Sequence, residues 1–129
     1  MIFVVIDTNF LLYIAKYKID LVSELDRLCN FAYKITVPEQ VINELIKLGS
    51  STKSKGKDRE AALLALQQVK NFEIHKVPAK NADEAVLKLS QEKQGNILAT
   101  MDKELRKRFK KDKRGKLLLI RQKKYLTLV

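Results

Sequence analysis

Five apolar residues in an unbroken row, Ile2-Phe3-Val4-Val5-Ile6, run directly into Asp7. Every residue of the row except Phe3 is β-branched, which favours an extended backbone. A strand that is apolar throughout, and not alternately, needs cover on both faces, as at the centre of a parallel sheet. The row is too short to span a bilayer and has no basic residues before it, so it reads as a buried strand, not as a signal peptide or membrane anchor. It also ends on a carboxylate at the carboxyl end of the strand, the side on which open parallel sheets bind their ligands.

The rest of the chain alternates between the two apolar periods. Helical spacing covers residues 8–16, and 20–33 with Leu21, Leu25 and Leu28 in register. A short strand over 35–37 is stopped by Pro38, which suits the first turn of a helix over 39–48 closed by Gly49. Residues 49–57, GSSTKSKGK, are small, polar and basic and read as a mobile loop. A helix over 58–71 follows, with Ala61, Leu64, Ala65 and Val69 as its inner stripe. A strand over 73–77, a helix over 81–94 capped by Gly95, a strand over 96–101, a helix over 103–111 and a strand over 117–120 complete the pattern. This alternation specifies an α/β fold with a mostly parallel sheet of about five strands and helices on both faces. With 129 residues and 46% hydrophobic content the chain is expected to form one domain, residues 1–129.

Twenty-six Lys and Arg against 15 Asp and Glu give a formal charge of +11. Such an imbalance destabilises a small compact state by self-repulsion, which favours an anionic partner, nucleic acid foremost. Plain solubility is the other reading of the same charge. A membrane surface is not favoured, because the basic residues do not face a broad apolar helix side carrying Trp or Phe. Cys29 is the one cysteine, so no intramolecular disulfide can form and a reducing, cytoplasmic setting is expected. Four unclustered glycines cannot make a phosphate-binding glycine loop. His75 and Cys29 are both solitary, which leaves no zinc cluster and no His-activated nucleophile.

Four carboxylates remain as candidates for chemistry. Asp7 and Asp102 each follow a strand and precede a helix, and each would serve equally as a helix N-cap. Asp83 falls in the first turn of its helix, where the macrodipole favours negative charge. Glu44 lies in mid-helix, on the side of Val37, Val41 and Leu48, where capping does not account for it. Together, acids at the strand edge would repel one another unless a cation lay between them. Oxygen-only ligands select a hard ion, Mg2+ or Mn2+. On a basic protein, such an ion suggests phosphodiester hydrolysis by metal-activated water.

These residues resemble the PIN-domain nucleases. VVIDTNFLL surrounds Asp7, VPEQVINEL surrounds Glu44, NADEAVLKLS surrounds Asp83 and ILATMDKELRKRF surrounds Asp102, in the order and setting of the family and over nearly the whole chain. The last motif and the ending LLIRQKKYL most resemble an archaeal branch akin to ribosome-biogenesis PIN nucleases and VapC-type toxins. The resemblance implies a three-layer PIN architecture and Mg2+- or Mn2+-dependent cleavage of single-stranded RNA that leaves 5′-phosphate and 3′-hydroxyl ends. It implies Asp7, Glu44, Asp83 and Asp102 as the acidic, metal-binding quartet, with Asn9 and Thr100 as bracing polar residues. It further implies a homodimer, with an antitoxin or a pre-ribosomal particle as possible partner. Two positions depart from similar motifs: Met101 stands where Asn is frequent, and Glu84 where a second Asp is. Either Asp83 or Glu84 could face the metal, and Asp83 is favoured because Val86, Leu87 and Ser90 share its inward side.

Lys53, Lys55 and Lys57 in the central loop, and Arg106, Lys107, Arg108, Lys110 and Lys111 in the helix after Asp102, could guide a phosphate backbone or be ordinary solvated residues. Aromatic residues are few and sit mostly in apolar patterns, so no base-stacking platform is evident. An endoribonuclease is the leading expectation. A non-catalytic RNA-binding module on the same fold is the alternative. A phosphoryl-accepting α/β signalling domain is disfavoured, because Asp7-Thr8-Asn9 lacks the adjacent acidic pair such domains carry.

Overall fold

A computed structural model describes residues 1–129. In chain order the elements are β1 (Ile2–Ile6), α1 (Thr8–Tyr17), α2 (Leu21–Leu28), β2 (Tyr33–Pro38), α3 (Glu39–Ser50), α4 (Gly56–Gln68), a 3-10 turn (Val69–Asn71), β3 (Glu73–His75), α5 (Ala82–Ser90), β4 (Ile97–Ala99), α6 (Lys103–Lys111), β5 (Lys116–Arg121) and β6 (Tyr125–Leu128). The six strands form one sheet in the order β3-β2-β1-β4-β5-β6. The first five run parallel and β6 returns antiparallel on β5.

β1 lies at the centre, as its apolar row requires, and Val4, Val5 and Ile6 are fully buried. From β1 the chain builds outward through β2 to β3, then returns to the other side of β1 for β4 and β5. Right-handed crossovers put α1 to α4 on one face of the sheet and α5 and α6 on the other. Packing agrees: α4 lies on α1 and α3, while α5 covers β1, β2 and β4 and contacts α6. The direction of winding reverses between β1 and β4, which opens a crevice beyond their carboxyl ends. Inside the sheet, the buried Asn96 clamps this junction. Its Oδ1 accepts from the Phe3 amide at 3.0 Å and its amide donates to the Leu89 carbonyl at 3.5 Å.

The sheet has six strands where about five were expected. β6 is reached through a turn whose central residues, Gln122 and Lys123, have φ of 53° and 57°. Two successive positive φ values are the type I′ geometry, usually announced by Asn-Gly, and Gln-Lys carries no such signal. Helix bounds moved as well. α2 stops at Leu28, since Tyr33 is drawn into register beside Ile2. α3 continues through Gly49, which does not terminate it. A Cβ at Gly49 would stand 3.1 Å from the Leu63 side chain, so the glycine lets α3 and α4 approach. The loop between them shrinks to residues 51–55. In α4 the buried stripe is Ala61, Ala62 and Ala65, with Val69 just beyond, and Leu64 is 53% exposed. Small residues face inward there because two helices press against α4. α5 ends at Ser90, and Gly95 instead serves the turn into β4 with φ of 94°.

Candidate active site

Asp7 leaves β1 at the crevice, its amide still bonded to the Ala99 carbonyl of β4 at 3.1 Å. The side chain is buried, and Oδ1 accepts from the Phe10 amide at 2.8 Å, capping α1. Oδ2 accepts from the hydroxyl of Thr100. Capping and chemistry are therefore not alternatives here. A carboxylate oxygen has two lone-pair sites, and each of these uses one.

Thr100 is fully buried at the end of β4 and works in two directions. It donates to Asp7, and its Oγ1 accepts from the Asp102 amide at 3.1 Å. Asp102 in turn caps α6, with Oδ1 accepting from the Leu105 amide at 3.0 Å. One hydroxyl thus fixes the acids that end two neighbouring strands. On the opposite flank the Thr8 hydroxyl donates to Oε1 of Glu44 at 2.8 Å. Glu44 is exposed, with Val41 and Leu45 forming the buried side of α3, so it stands outside the apolar stripe on which the wheel placed it. Its head reaches across to α1.

Asp83 and Glu84, adjacent in the first turn of α5, diverge. The Glu84 carboxylate is engaged in two hydrogen bonds by Arg108 of α6, at 2.7 and 3.1 Å, which holds it below the usual range. Asp83 is exposed, not on the inward side with Val86, Leu87 and Ser90. It is raised by desolvation and by the nearby charges of Asp102 and Glu84, against the opposing charge of Arg108. Burial pushes Asp7 up to about 6 against the opposing hydrogen bonds from Thr100 and Phe10, and the charges of Asp83 and Asp102 add to the rise. These three aspartates therefore share one electrostatic environment, and Glu44 is tied to its edge through Thr8.

Five ion pairs form elsewhere in the chain, yet none involves Asp7, Glu44, Asp83 or Asp102. In a chain of +11 this gap is informative, because cations are plentiful. The uncompensated, all-oxygen donor set fits a hard divalent ion. No three Asp, Glu, His or Cys side chains stand close enough together to hold a metal ion by themselves. Ligation would need few carboxylates, with water and substrate phosphate in the remaining positions, which Mg2+ allows.

Of the other candidates, Asn9 is exposed at the start of α1 and braces none of the acids. Thr8, its neighbour, was not singled out in the sequence; a hydroxyl directly after a strand-end acid was its only signal. Lys53, Lys55, Lys57, Lys107 and Lys110 are exposed, and Arg106 is half-buried. Arg108 is committed to Glu84. His75 lies on the far edge strand, bonded to Glu73 at 2.7 Å. No helix is long and apolar enough to cross a membrane.

Residues 4–123 match the family described as PIN like domain. The chain is 37% identical over 125 residues to Ribonuclease VapC4 of Methanocaldococcus jannaschii, covering 97% of this chain and 95% of that protein. It is 37% identical over 106 residues to Ribonuclease VapC9 of Archaeoglobus fulgidus, covering 82% and 74%. The structure of the PIN domain endonuclease Utp24 superposes with a TM-score of 0.79 at 25% identity, over 98% of this chain and 90% of the other.

Proposed function

This chain belongs to the PIN-domain family, and from that premise we propose that it is a single-domain, Mg2+- or Mn2+-dependent endoribonuclease acting on single-stranded RNA. The observation that carries this reading is the group of acids beyond the carboxyl ends of β1 and β4. There Asp7, held up to about 6, faces Asp83 and Asp102 with no cationic side chain paired to any of them. The ribonuclease names of the two archaeal relatives support the substrate class.

Asp7, Glu44, Asp83 and Asp102 would hold the ion. Thr100 orients Asp7 and Asp102, and Thr8 orients Glu44. When bound, the ion lowers the pKa of a coordinated water and stabilises charge on the scissile phosphate. The chain's own part is to hold these oxygens without pairing any of them to a lysine or arginine, Arg108 offsetting only part of the charge around Asp83. Asn9 remains a bracing candidate through substrate or water. Lys53, Lys55, Lys57, Arg106 and Lys107 remain candidates for phosphate contacts, and Arg108 adds its charge beside Glu84. Lys110 instead donates to the carbonyl of Val129, which lies beside the start of β5, at the opposite sheet edge from the acids. Positive charge of the first kind concentrates a polyanion at low salt. We further propose a cytoplasmic homodimer, acting either as the toxin of a toxin-antitoxin pair or in rRNA processing on a pre-ribosomal particle; the VapC ribonuclease names of two relatives support the first of these roles.

The test is cleavage of a fluorescent single-stranded RNA by wild type and Asp7→Asn, with Mn2+, with Mg2+ and with chelator. Metal-dependent cleavage by wild type alone, leaving 5′-phosphate ends, is the expected result. Salt-sensitive binding without cleavage under every metal condition would overturn it in favour of a non-catalytic RNA-binding module.

A further inference from the structure

Beside the acidic rim, on the β5 flank, lies a hollow of about 400 Å³ lined by Tyr13, Tyr17, Met101, Ile120, Gln122 and Lys123. We propose that this hollow stacks one nucleobase of the single strand whose backbone crosses the acidic crevice. The proposal rests on the nuclease reading above and adds a base-binding subsite to it.

Its position follows from the fold. Tyr13 and Tyr17 sit one turn apart on α1, the helix that Asp7 caps. Met101 is the residue between Thr100 and Asp102, and its sulfur accepts from the Ile120 amide at 3.4 Å. Ile120 ends the buried part of β5, and Gln122 and Lys123 form the turn beyond it. Met101, Ile120 and the turn after β5 thus lie at the carboxyl edge that carries the acids, and α1 lays the two tyrosines over them.

The chemistry of the walls selects the occupant. The two tyrosine rings are stacked, with centroids 5.8 Å apart and an angle of 1° between their planes. Tyr13 is 36% exposed although it is large and aromatic. Lys123 stands 5.7 Å from the Tyr17 ring, while Lys16 lies outside the hollow and is paired with Asp58. Flat apolar surface beside one ammonium group suits a ligand that is planar where it stacks and anionic where it is linked. A nucleotide within a strand meets both conditions. Met101 supplies a soft, adaptable floor, and a thioether neither requires nor rejects a particular base edge. Stacking without edge contacts tolerates every base, so the hollow should add affinity and register more than sequence preference.

The chain has four tyrosines and no tryptophan, so intrinsic tyrosine fluorescence reports the contact directly. The probes are an eight-nucleotide oligouridylate and an abasic ribose-phosphate strand of the same length and charge, titrated in Ca2+ as a non-catalytic ion. Wild type should bind the base-bearing strand about tenfold more tightly than the abasic one, with quenched tyrosine emission. Tyr13→Leu, at a partly exposed position where folding is checked by circular dichroism, should abolish that difference. Tyr13→Phe should restore it. Equal affinity of wild type for both strands, with RNA cleavage in Mn2+ intact, overturns the subsite and leaves the nuclease reading standing. Failure of both strands to bind, with no cleavage, overturns the two together. A difference that persists in Tyr13→Leu also overturns it.

Discussion

The hydroxyl of Thr100 donates to Asp7, the acid that ends the neighbouring strand, while its oxygen receives the amide of Asp102. A fully buried side chain with two such bonds has no slack. Thr100→Val keeps the shape but leaves an Asp7 oxygen and a backbone amide without partners. Each unsatisfied buried group costs about 1–3 kcal/mol, so with two of them urea denaturation should show a loss of roughly 2–6 kcal/mol. Cleavage should fall roughly 10- to 100-fold, as when groups that orient metal ligands are removed. Thr100→Ser, which retains the hydroxyl, should recover most of both. Full activity in Thr100→Val would show that Asp7 is positioned by something else.

Asp7 makes the metal-free protein less stable as pH rises. Its folded-state pKa, about 6, lies above the ordinary 3.8, so the native state binds the extra proton between those values. The stability this represents is fully present below pH 3.8 and is lost as pH rises to about 6. The full interval corresponds to roughly 3 kcal/mol. In chelator, Asp7→Asn should therefore be more stable than wild type by about 1–3 kcal/mol above pH 6, and should lose that advantage near pH 4. Mn2+ should raise the melting temperature of wild type and leave Asp7→Asn nearly unmoved. An Asn variant destabilised at pH 7 in chelator would contradict the burial cost assigned to Asp7.

Much of this architecture was legible because the informative residues are local. The row Ile2 to Ile6 could only be a central strand, and the acids at 7 and 102 followed from their strands. What stayed hidden depends on contacts between distant elements. Glu44 looked inward on a helical wheel, and only the position of α1, with Thr8 facing it, shows where its head goes. Leu64 fitted an inner stripe by spacing, yet alanines win that face because α1 and α3 leave no room for leucine. β6 escaped notice because its turn uses Gln122 and Lys123 in a conformation their side chains do not advertise. Asp83 was preferred to Glu84 for an inward side that it does not have, and the feature that separates the two acids, the bond from Arg108 to Glu84, comes from 24 residues further along the chain.

Lys18 ends α1 in the left-handed conformation, with φ of 55° and its amide bonded to the Ile14 carbonyl. A side chain with a Cβ is disfavoured there, and glycine is the usual residue at such an end. Lys18→Gly should therefore stabilise the protein by about 0.5–1 kcal/mol, seen as a higher denaturation midpoint with an unchanged slope. A lower midpoint would mean that the lysine side chain contributes packing that outweighs the backbone strain.

Asp83 and Glu84 should separate cleanly under substitution. Asp83 adds negative charge to the rim shared with Asp7 and Asp102, whereas Glu84 spends its charge on Arg108. Asp83→Asn should weaken Mn2+ binding roughly tenfold or more and cut cleavage accordingly, because one ligand charge is lost. It should also lower the apparent titration of Asp7, since one of the charges that raises it disappears. Glu84→Gln removes an exposed ion pair, which should leave stability nearly unchanged. It frees the Arg108 guanidinium beside the rim, so RNA binding should tighten and its salt dependence should steepen. Titrating Mn2+ and RNA against both variants decides between the two acids. A Glu84→Gln variant that loses metal affinity while Asp83→Asn keeps it would exchange their roles.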